Sequence, residues 1–329
     1  MSETPIGYYS MRILKEPEGK NKGALILSQV DNVISELPFI KDRFYLIERR
    51  GWRGINESEY ADVKLVEDLS LWNETVERFP NSVCLDIGPA DFVDTKVFRP
   101  LGTEKDYDGI QVSHWTDFKR PEMFIRAAGI LPKRTFLKLG HFVGGGSEVE
   151  YELRDSIIIL SKQIGARVDF PYAEALDNDN FPSSKEAMNV YINRSHIGIL
   201  TTKVEGINRF KMECLAVGIP VLVPNDASYP TKKHITNETG ALFEPTPEGL
   251  ARTIEDVLIH IDRYNPRDYV ERNTGKPKSL RKLKRALETI CVRDSTQYMF
   301  EDIDWDGRNQ SLTWGEKVFE ELRRYKSSL

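Results

Sequence analysis

Thr202-Lys203-Val204-Glu205-Gly206-Ile207-Asn208-Arg209-Phe210-Lys211-Met212-Glu213-Cys214-Leu215-Ala216-Val217-Gly218-Ile219-Pro220-Val221 follows the apolar run Ile197-Gly198-Ile199-Leu200, turns through a glycine and enters a helix. A strand, a glycine turn and a helix start in that order direct backbone N–H groups at one spot. The helix dipole adds positive potential there, so the turn can hold an anion. Glu205 and Glu213 lie eight residues apart, a little over two helical turns, which can bring both carboxylates to one rim of a cleft. Carboxylates beside an anion site suit the hydroxyls of a sugar or ribose, from which they accept hydrogen bonds. By spacing alone the stretch also reads as an ordinary surface helix carrying two glutamates.

Working outward, short β-branched runs alternate with amphipathic helices from Gly109 onward. Strands are expected at 110–112, 135–139, 168–170, 197–200, 220–223 and 241–243. Helices are expected from Pro121, at 148–164, 184–193, around 211–217 and at 247–260, with Pro121 at a first helical position. This alternation implies an α/β fold with a parallel sheet covered by helices, its ligands outside the carboxyl ends of the strands. The loops after Val112, Leu139, Phe170, Leu200 and Val223 are therefore the places to search.

The first hundred residues read as a less regular α/β unit. A strand at 8–14 and a turn at 16–23 precede a helical pattern of Leu25, Leu27, Val30, Val33, Ile34 and Leu37. A strand at 44–47, a helix at 69–79 and a strand at 83–87 lead to a linker at 94–100. Beyond the alternating region, residues 276–285 carry six basic side chains in ten over an apolar stripe of Leu280, Leu283, Leu287 and Ile290. A final amphipathic helix opens at Thr313.

Composition bounds the function. The 329 residues hold 46 Lys plus Arg against 51 Asp plus Glu, a formal charge of −5, with 40% hydrophobic and 29% charged residues. At roughly 100–200 residues per domain this suggests two domains. Disorder and a fibrous protein are excluded, and the net charge argues against a nucleic-acid binder that uses its whole surface. No apolar run approaches the roughly 18–20 residues of a membrane span, and the N-terminus lacks a signal-peptide core, so a cytoplasmic protein is expected. Cys84, Cys214 and Cys291 have neither disulfide nor zinc spacing and read as small buried hydrophobes.

Glu205, Gly206, Glu213, Ala216, Gly218, Pro220 and the run 221–223 resemble the E-x7-E signature of retaining, family-4-like glycosyltransferases (glycosyl transferases group 1) of the GT-B fold. Four more stretches resemble that family in the same order. Residues 88–100, with Asp94, Phe98 and Pro100, are similar to its linker, and 112–127 to its lysine segment, with Lys119 as the lysine. Residues 238–243 are similar to a late strand, and 313–318 to the final helix. The match spans roughly residues 84–325.

The resemblance implies two Rossmann-like domains facing a cleft, the N-terminal one reduced. The expected division is an acceptor-side domain at 1–100, a nucleotide-sugar domain at 101–310 and a helix crossing back at 311–329. It further implies transfer of a sugar from a nucleotide-diphosphate-sugar donor, a UDP- or GDP-sugar, with retention of configuration and without cofactor or metal. On this reading Glu205 contacts the donor sugar, Glu213 holds the ribose hydroxyls, and the amides of Gly206, Ile207 and Asn208 receive the diphosphate. Lys119 stabilises charge on the departing diphosphate. His114 stands where the family has an arginine, which makes charge there depend on pH, and Arg209 or Arg120 could compensate. Gly140, in the turn 140–147, and Gly23, in the loop 20–23 before an expected helix, are further candidates for donor contact, each also readable as a plain turn.

Asp177-Asn178-Asp179 and Asp304-Trp305-Asp306 spell a metal-diphosphate triplet of the other glycosyltransferase fold, and such triplets arise easily in an acidic chain. The basic run reads as a solvated helix face or as a site for an anionic acceptor, lipid headgroups or nucleic acid. The acceptor, whether glycan, lipid-linked, protein or nucleic acid, is not legible, and the short first domain leaves room for a partner subunit or oligomer. A non-catalytic GT-B subunit, a nucleotide-sugar-binding module and a sugar-nucleotide epimerase are the competing readings.

Overall fold

The computed structural model describes residues 11–49, 58–142, 146–171, 182, 184–303, 305 and 320–328. They form two compact units, one from the described parts of Met1–Phe92 and Lys276–Leu329, the other from Val93–Gly275.

The first unit contains β1 (Met11–Lys15), β2 (Gly23–Leu27), α1 (Val30–Glu36), α2 (Ile40–Arg43), β3 (Phe44–Arg49), β4 (Val63–Leu65), α3 (Trp72–Arg78) and β5 (Val83–Leu85). The sheet order is β1-β2-β3-β4-β5, with β1 antiparallel to β2 and the rest parallel. Successive side chains of a strand face opposite sides, and the cores follow that period. Leu25, Leu27, Phe44 and Leu46 pack with Val30, Val33 and Ile40, whereas Ala24, Ile26, Tyr45 and Ile47 pack with Leu283, Leu287 and Ile290.

The expected helix beginning near Leu25 is therefore a strand as far as Leu27. Six consecutive residues without a charge, Gly23 to Ser28, supply a strand buried on both faces, a pattern that periodicity alone does not separate from a helix. Gly23 opens β2 instead of preceding a helix. A Cβ there would lie 2.3 Å from the Lys15 carbonyl oxygen, so the close hairpin approach requires glycine. β4, a three-residue strand, is an element the sequence pattern does not announce.

The second unit contains β6 (Tyr107–His114), α4 (Pro121–Ile130), β7 (Phe136–His141), α5 (Glu148–Gln163), β8 (Val168–Asp169), α6 (Lys185–Asn193), β9 (Ser195–Ile199), α7 (Arg209–Val217), β10 (Val221–Pro224), α8 (Tyr229–Lys232), β11 (Gly240–Phe243), α9 (Pro247–Ile259) and α10 (Pro266–Asn273). All six strands are parallel, in the order β11-β10-β9-β6-β7-β8. The order reverses between β6 and β9, the switch point at whose carboxyl edge doubly wound sheets hold their ligands. The segment after Phe92 belongs to this unit, since Arg267 donates to the carbonyls of Thr95, Phe98 and Ala216.

α11 (Gly275–Arg293) carries the basic run and takes the chain back to the first unit. The compact units thus divide at 92/93 and 275/276, whereas the resemblance places the divisions at 100/101 and 310/311. The reason for the return is the apolar stripe, since Leu283, Leu287 and Ile290 are fully buried against the first sheet. Each contributes about 2 kcal/mol of burial. Leu322 and Tyr325 also pack on that unit, on the face that holds α1. The expected helix start at 313–316, the triplet 177–179 and both aspartates of the triplet 304–306 lie outside the described residues.

Candidate active site

The site collects at the carboxyl ends of β6 and β9. After β6 the chain makes a short 3-10 turn over Asp117–Lys119, and Arg120 then adopts a left-handed conformation before Pro121 starts α4. Arg120 is held there by donation to the Thr201 carbonyl and by two bonds to Asp226, at 3.0 and 2.9 Å. The turn directs Lys119 inward, where its side chain is 6% exposed and its Nζ lies 2.7 Å from Glu205 Oε1. Thr201, on the loop after β9, donates to the Lys119 carbonyl and accepts from Gln111 Nε2 at 2.8 Å. The loop after β9 is thereby tied to the backbone that carries Lys119.

Asn208 caps α7, accepting from the Lys211 amide at 2.8 Å, and its Nδ2 donates to Glu205 Oε2 at 2.8 Å. Both carboxylate oxygens of Glu205 thus have a donor. Its main chain is held by α8 and the residue before it, because Ser228 Oγ and Thr231 Oγ1 donate to the Glu205 carbonyl at 2.8 and 3.0 Å. Gly206, Ile207 and Asn208 are buried at the helix start, whereas Arg209 is exposed in the first turn.

Glu213 lies about one turn into α7, 8% exposed. Burial pushes its carboxyl up to about 7, opposed only by the charges of Arg209 and Lys185. No hydrogen-bond donor meets this carboxylate among the described residues, and a carboxylate desolvated to this degree is costly in the free protein and ready to accept from a ligand.

Parallel register places His114, the last residue of β6, opposite His141, the last of β7. Their Nε2 atoms are 3.1 Å apart, so in the neutral pair one donates to the other. Desolvation, then the charge of Lys119, brings His114 down to about 4. Desolvation, then His114, brings His141 down to about 2. The pair is neutral at pH 7, so His114 does not supply the positive charge of an arginine in the free protein. Lys138, fully buried on β7, donates to Ser113 Oγ at 2.7 Å, and burial holds its pKa well below the ordinary lysine range.

Gly140 is inside β7 and not in the following turn. A Cβ on it would lie 2.1 Å from the Trp115 indole, which makes it a packing glycine beneath that ring. Lys119, Glu205, Asn208 and Arg120 come together as a bonded cluster, with His114 near enough to feel the charges of Lys119 and Glu205. Gly23 lies in the other unit. Sequence reading misses Thr201, Ser228, Thr231, Lys138 and His141 as site residues. Only His141 carries an available signal, its place at the end of a strand beside the one ending in His114. No group of three or more His, Cys, Asp or Glu side chains suited to a metal ion occurs among the described residues. No helix among them is long and apolar enough to cross a membrane.

No family model matches the chain, and no curated protein matches it. Its likeness is to solved structures. HepE of Anabaena in complex with UDP is 13% identical with a TM-score of 0.60, the match covering 78% of this chain and 76% of that one. Sucrose-phosphate synthase from Thermosynechococcus elongatus is 16% identical with a TM-score of 0.54, over 86% of this chain and 69% of that one. The pneumococcal O-GlcNAc transferase GtfA, in complex with UDP and GlcNAc, is 15% identical with a TM-score of 0.56, over 80% of this chain and 55% of that one. At these identities the likeness is one of architecture, and the architecture of this chain, two Rossmann-like α/β units, is the GT-B fold.

Proposed function

We propose that the chain is a glycosyltransferase that takes a sugar from a UDP-sugar, retains the anomeric configuration and uses no metal. The observation that supports this most is the Lys119–Glu205–Asn208 cluster at the switch point of the second sheet. The similar structures described with UDP favour that nucleotide over GDP.

In this reading the free site is balanced by its own ion pair. An arriving diphosphate competes for Lys119, and the cation, now on the leaving group, stabilises charge as the glycosidic bond breaks. Glu205 is released from Lys119 toward the sugar hydroxyls while Asn208 keeps its second oxygen in place. Glu213 accepts from the ribose hydroxyls, which supply the donors its buried carboxyl lacks. The amides of Gly206, Ile207 and Asn208 face the diphosphate, aided by the dipole of α7. Lys119 is the one of these groups that brings a full positive charge to the departing diphosphate. The neutral His114–His141 pair favours one further reading, a nucleotide-sugar-binding module with little or no turnover, because the strongest expected cation is absent.

Calorimetry with UDP, followed by proton NMR of sugar released from UDP-glucose and UDP-N-acetylglucosamine, tests the proposal. Binding of UDP with release of the α-anomer from these α-linked donors is the expected outcome. Release of the β-anomer overturns retention, binding without turnover supports the module, and absence of UDP binding overturns the site.

A further inference from the structure

Lys211 occupies the third position of α7 and is fully buried. Its Nζ donates to three main-chain carbonyls of one short segment, those of Pro230 at 3.3 Å, Thr231 at 2.8 Å and Lys233 at 2.6 Å. An ammonium carries three hydrogens, so three carbonyl acceptors match its capacity and compensate its burial. The clamped segment is the one that holds Glu205, because Ser228 Oγ and Thr231 Oγ1 lie 2.8 and 3.0 Å from the Glu205 carbonyl oxygen and 2.8 Å from each other, so that at least one hydroxyl donates to that carbonyl directly while the other can donate to it or to its neighbour. The Ser228 amide completes the contact by donating to the Lys203 carbonyl at 2.8 Å.

We propose that Lys211 is a positioning residue for Glu205. Its ammonium fixes residues 228–233, and the Ser228 and Thr231 hydroxyls pass that fixed geometry to the Glu205 backbone. The inference rests on the reading of Glu205 as the group that meets the donor sugar. It goes beyond that reading by assigning the rigidity of the sugar subsite to a side chain that does not itself touch the sugar. Glu205 is thus fixed from two sides, its carboxylate through Asn208 and Lys119 and its main chain through Lys211. Small displacements of such a group are expensive in rate, because a group a fraction of an ångström out of place no longer meets the reacting centre.

The test compares the full-length protein with Lys211→Met and, independently, with Ser228→Ala/Thr231→Val, which leaves the buried lysine in place. UDP affinity is measured by calorimetry, and steady-state UDP release from UDP-glucose and UDP-N-acetylglucosamine gives kcat and KM. UDP lacks the sugar, so its Kd is expected to stay within about twofold of wild type, while kcat falls about tenfold, the scale of one lost hydrogen bond. The two changes combined are expected to cost less than the product of their separate effects, because they act on one segment. Folded variants with wild-type kcat overturn the proposal, as does a Lys211→Met protein whose UDP affinity and kcat fall together. If Lys211→Met does not fold, a wild-type kcat in Ser228→Ala/Thr231→Val is sufficient to overturn it. Wild-type protein that binds no UDP removes the reading of the site itself, a result distinct from either.

Discussion

Glu213→Gln separates what is good for the fold from what is good for the ligand. The gap between the ordinary glutamate value of 4.5 and about 7 corresponds to about 3 kcal/mol. Burial favours the protonated acid, so ionisation costs the folded state and not the unfolded chain. That cost is absent below about pH 4.5, grows as pH rises and is complete somewhat above pH 7. Glutamine has the shape of the protonated acid and never ionises. Glu213→Gln is therefore expected to be more stable than wild type by about 2–3 kcal/mol at pH 8.5, the difference shrinking to near zero at pH 4.5. Urea denaturation at a series of pH values, read by fluorescence, supplies the curve. UDP binding should move the other way. Wild-type affinity is expected to rise about tenfold between pH 6 and 8 as the carboxylate forms, and this rise should be missing in the variant. The terminal phosphate of UDP titrates in the same range but does so with both proteins, so their comparison removes it. A stability difference that does not change with pH, or a variant that binds UDP like wild type, refutes the argument.

Acidification tests the histidine pair. His114 and His141 are held neutral in the folded protein, so they contribute stability that is fully present above about pH 6.5 and lost as pH falls toward 4. In Glu213→Gln this acid loss stands without the opposing gain from Glu213, and His141→Phe should flatten it by on the order of 2 kcal/mol in thermal or urea melts. Gly140→Ala drives a methyl into the Trp115 indole and is expected to destabilise by about 3 kcal/mol, with Trp115→Leu in the same chain recovering part of the loss. Leu287→Ala in α11 should cost about 2–5 kcal/mol and lower the melting of the first unit, whereas hydrogen exchange of β6 to β11 should be little changed. Equal loss of protection in both units would contradict the assignment of α11 to the first.

The second unit was legible because its rules are local. Ser184 before α6 and Pro121 at the start of α4 mark helix starts in sequence, and both elements form there, with Ser184 accepting from the Ala187 amide. Gly218, left-handed at φ 99°, ends α7 where the glycine stands in the sequence. The first unit was less legible for two reasons. Gly23–Leu27 is buried on both sides, which erases the alternation that identifies a strand, and α11 returns from far along the chain, a tertiary fact no local pattern carries. The site divides in the same way. Glu205, Asn208 and Lys119 are close in the fold and each stands in a recognisable stretch. Thr201, Ser228 and Thr231 act through hydroxyls on loops where such residues are ordinary, and Lys211 reads as one polar position of a helix until its three carbonyl partners are seen.

The central claim is that Glu205 serves a donor sugar while neighbouring groups hold UDP. It is tested most directly by measuring UDP release from UDP-glucose and UDP-N-acetylglucosamine for wild type and Glu205→Gln, beside UDP affinity for both. The account expects slow release by wild type, a fall of at least about a hundredfold in Glu205→Gln, the scale of one lost catalytic electrostatic contact, and a UDP affinity that is retained or tighter, because the variant no longer competes for Lys119. Release that is undiminished in Glu205→Gln, or a wild-type protein indifferent to UDP, would contradict it.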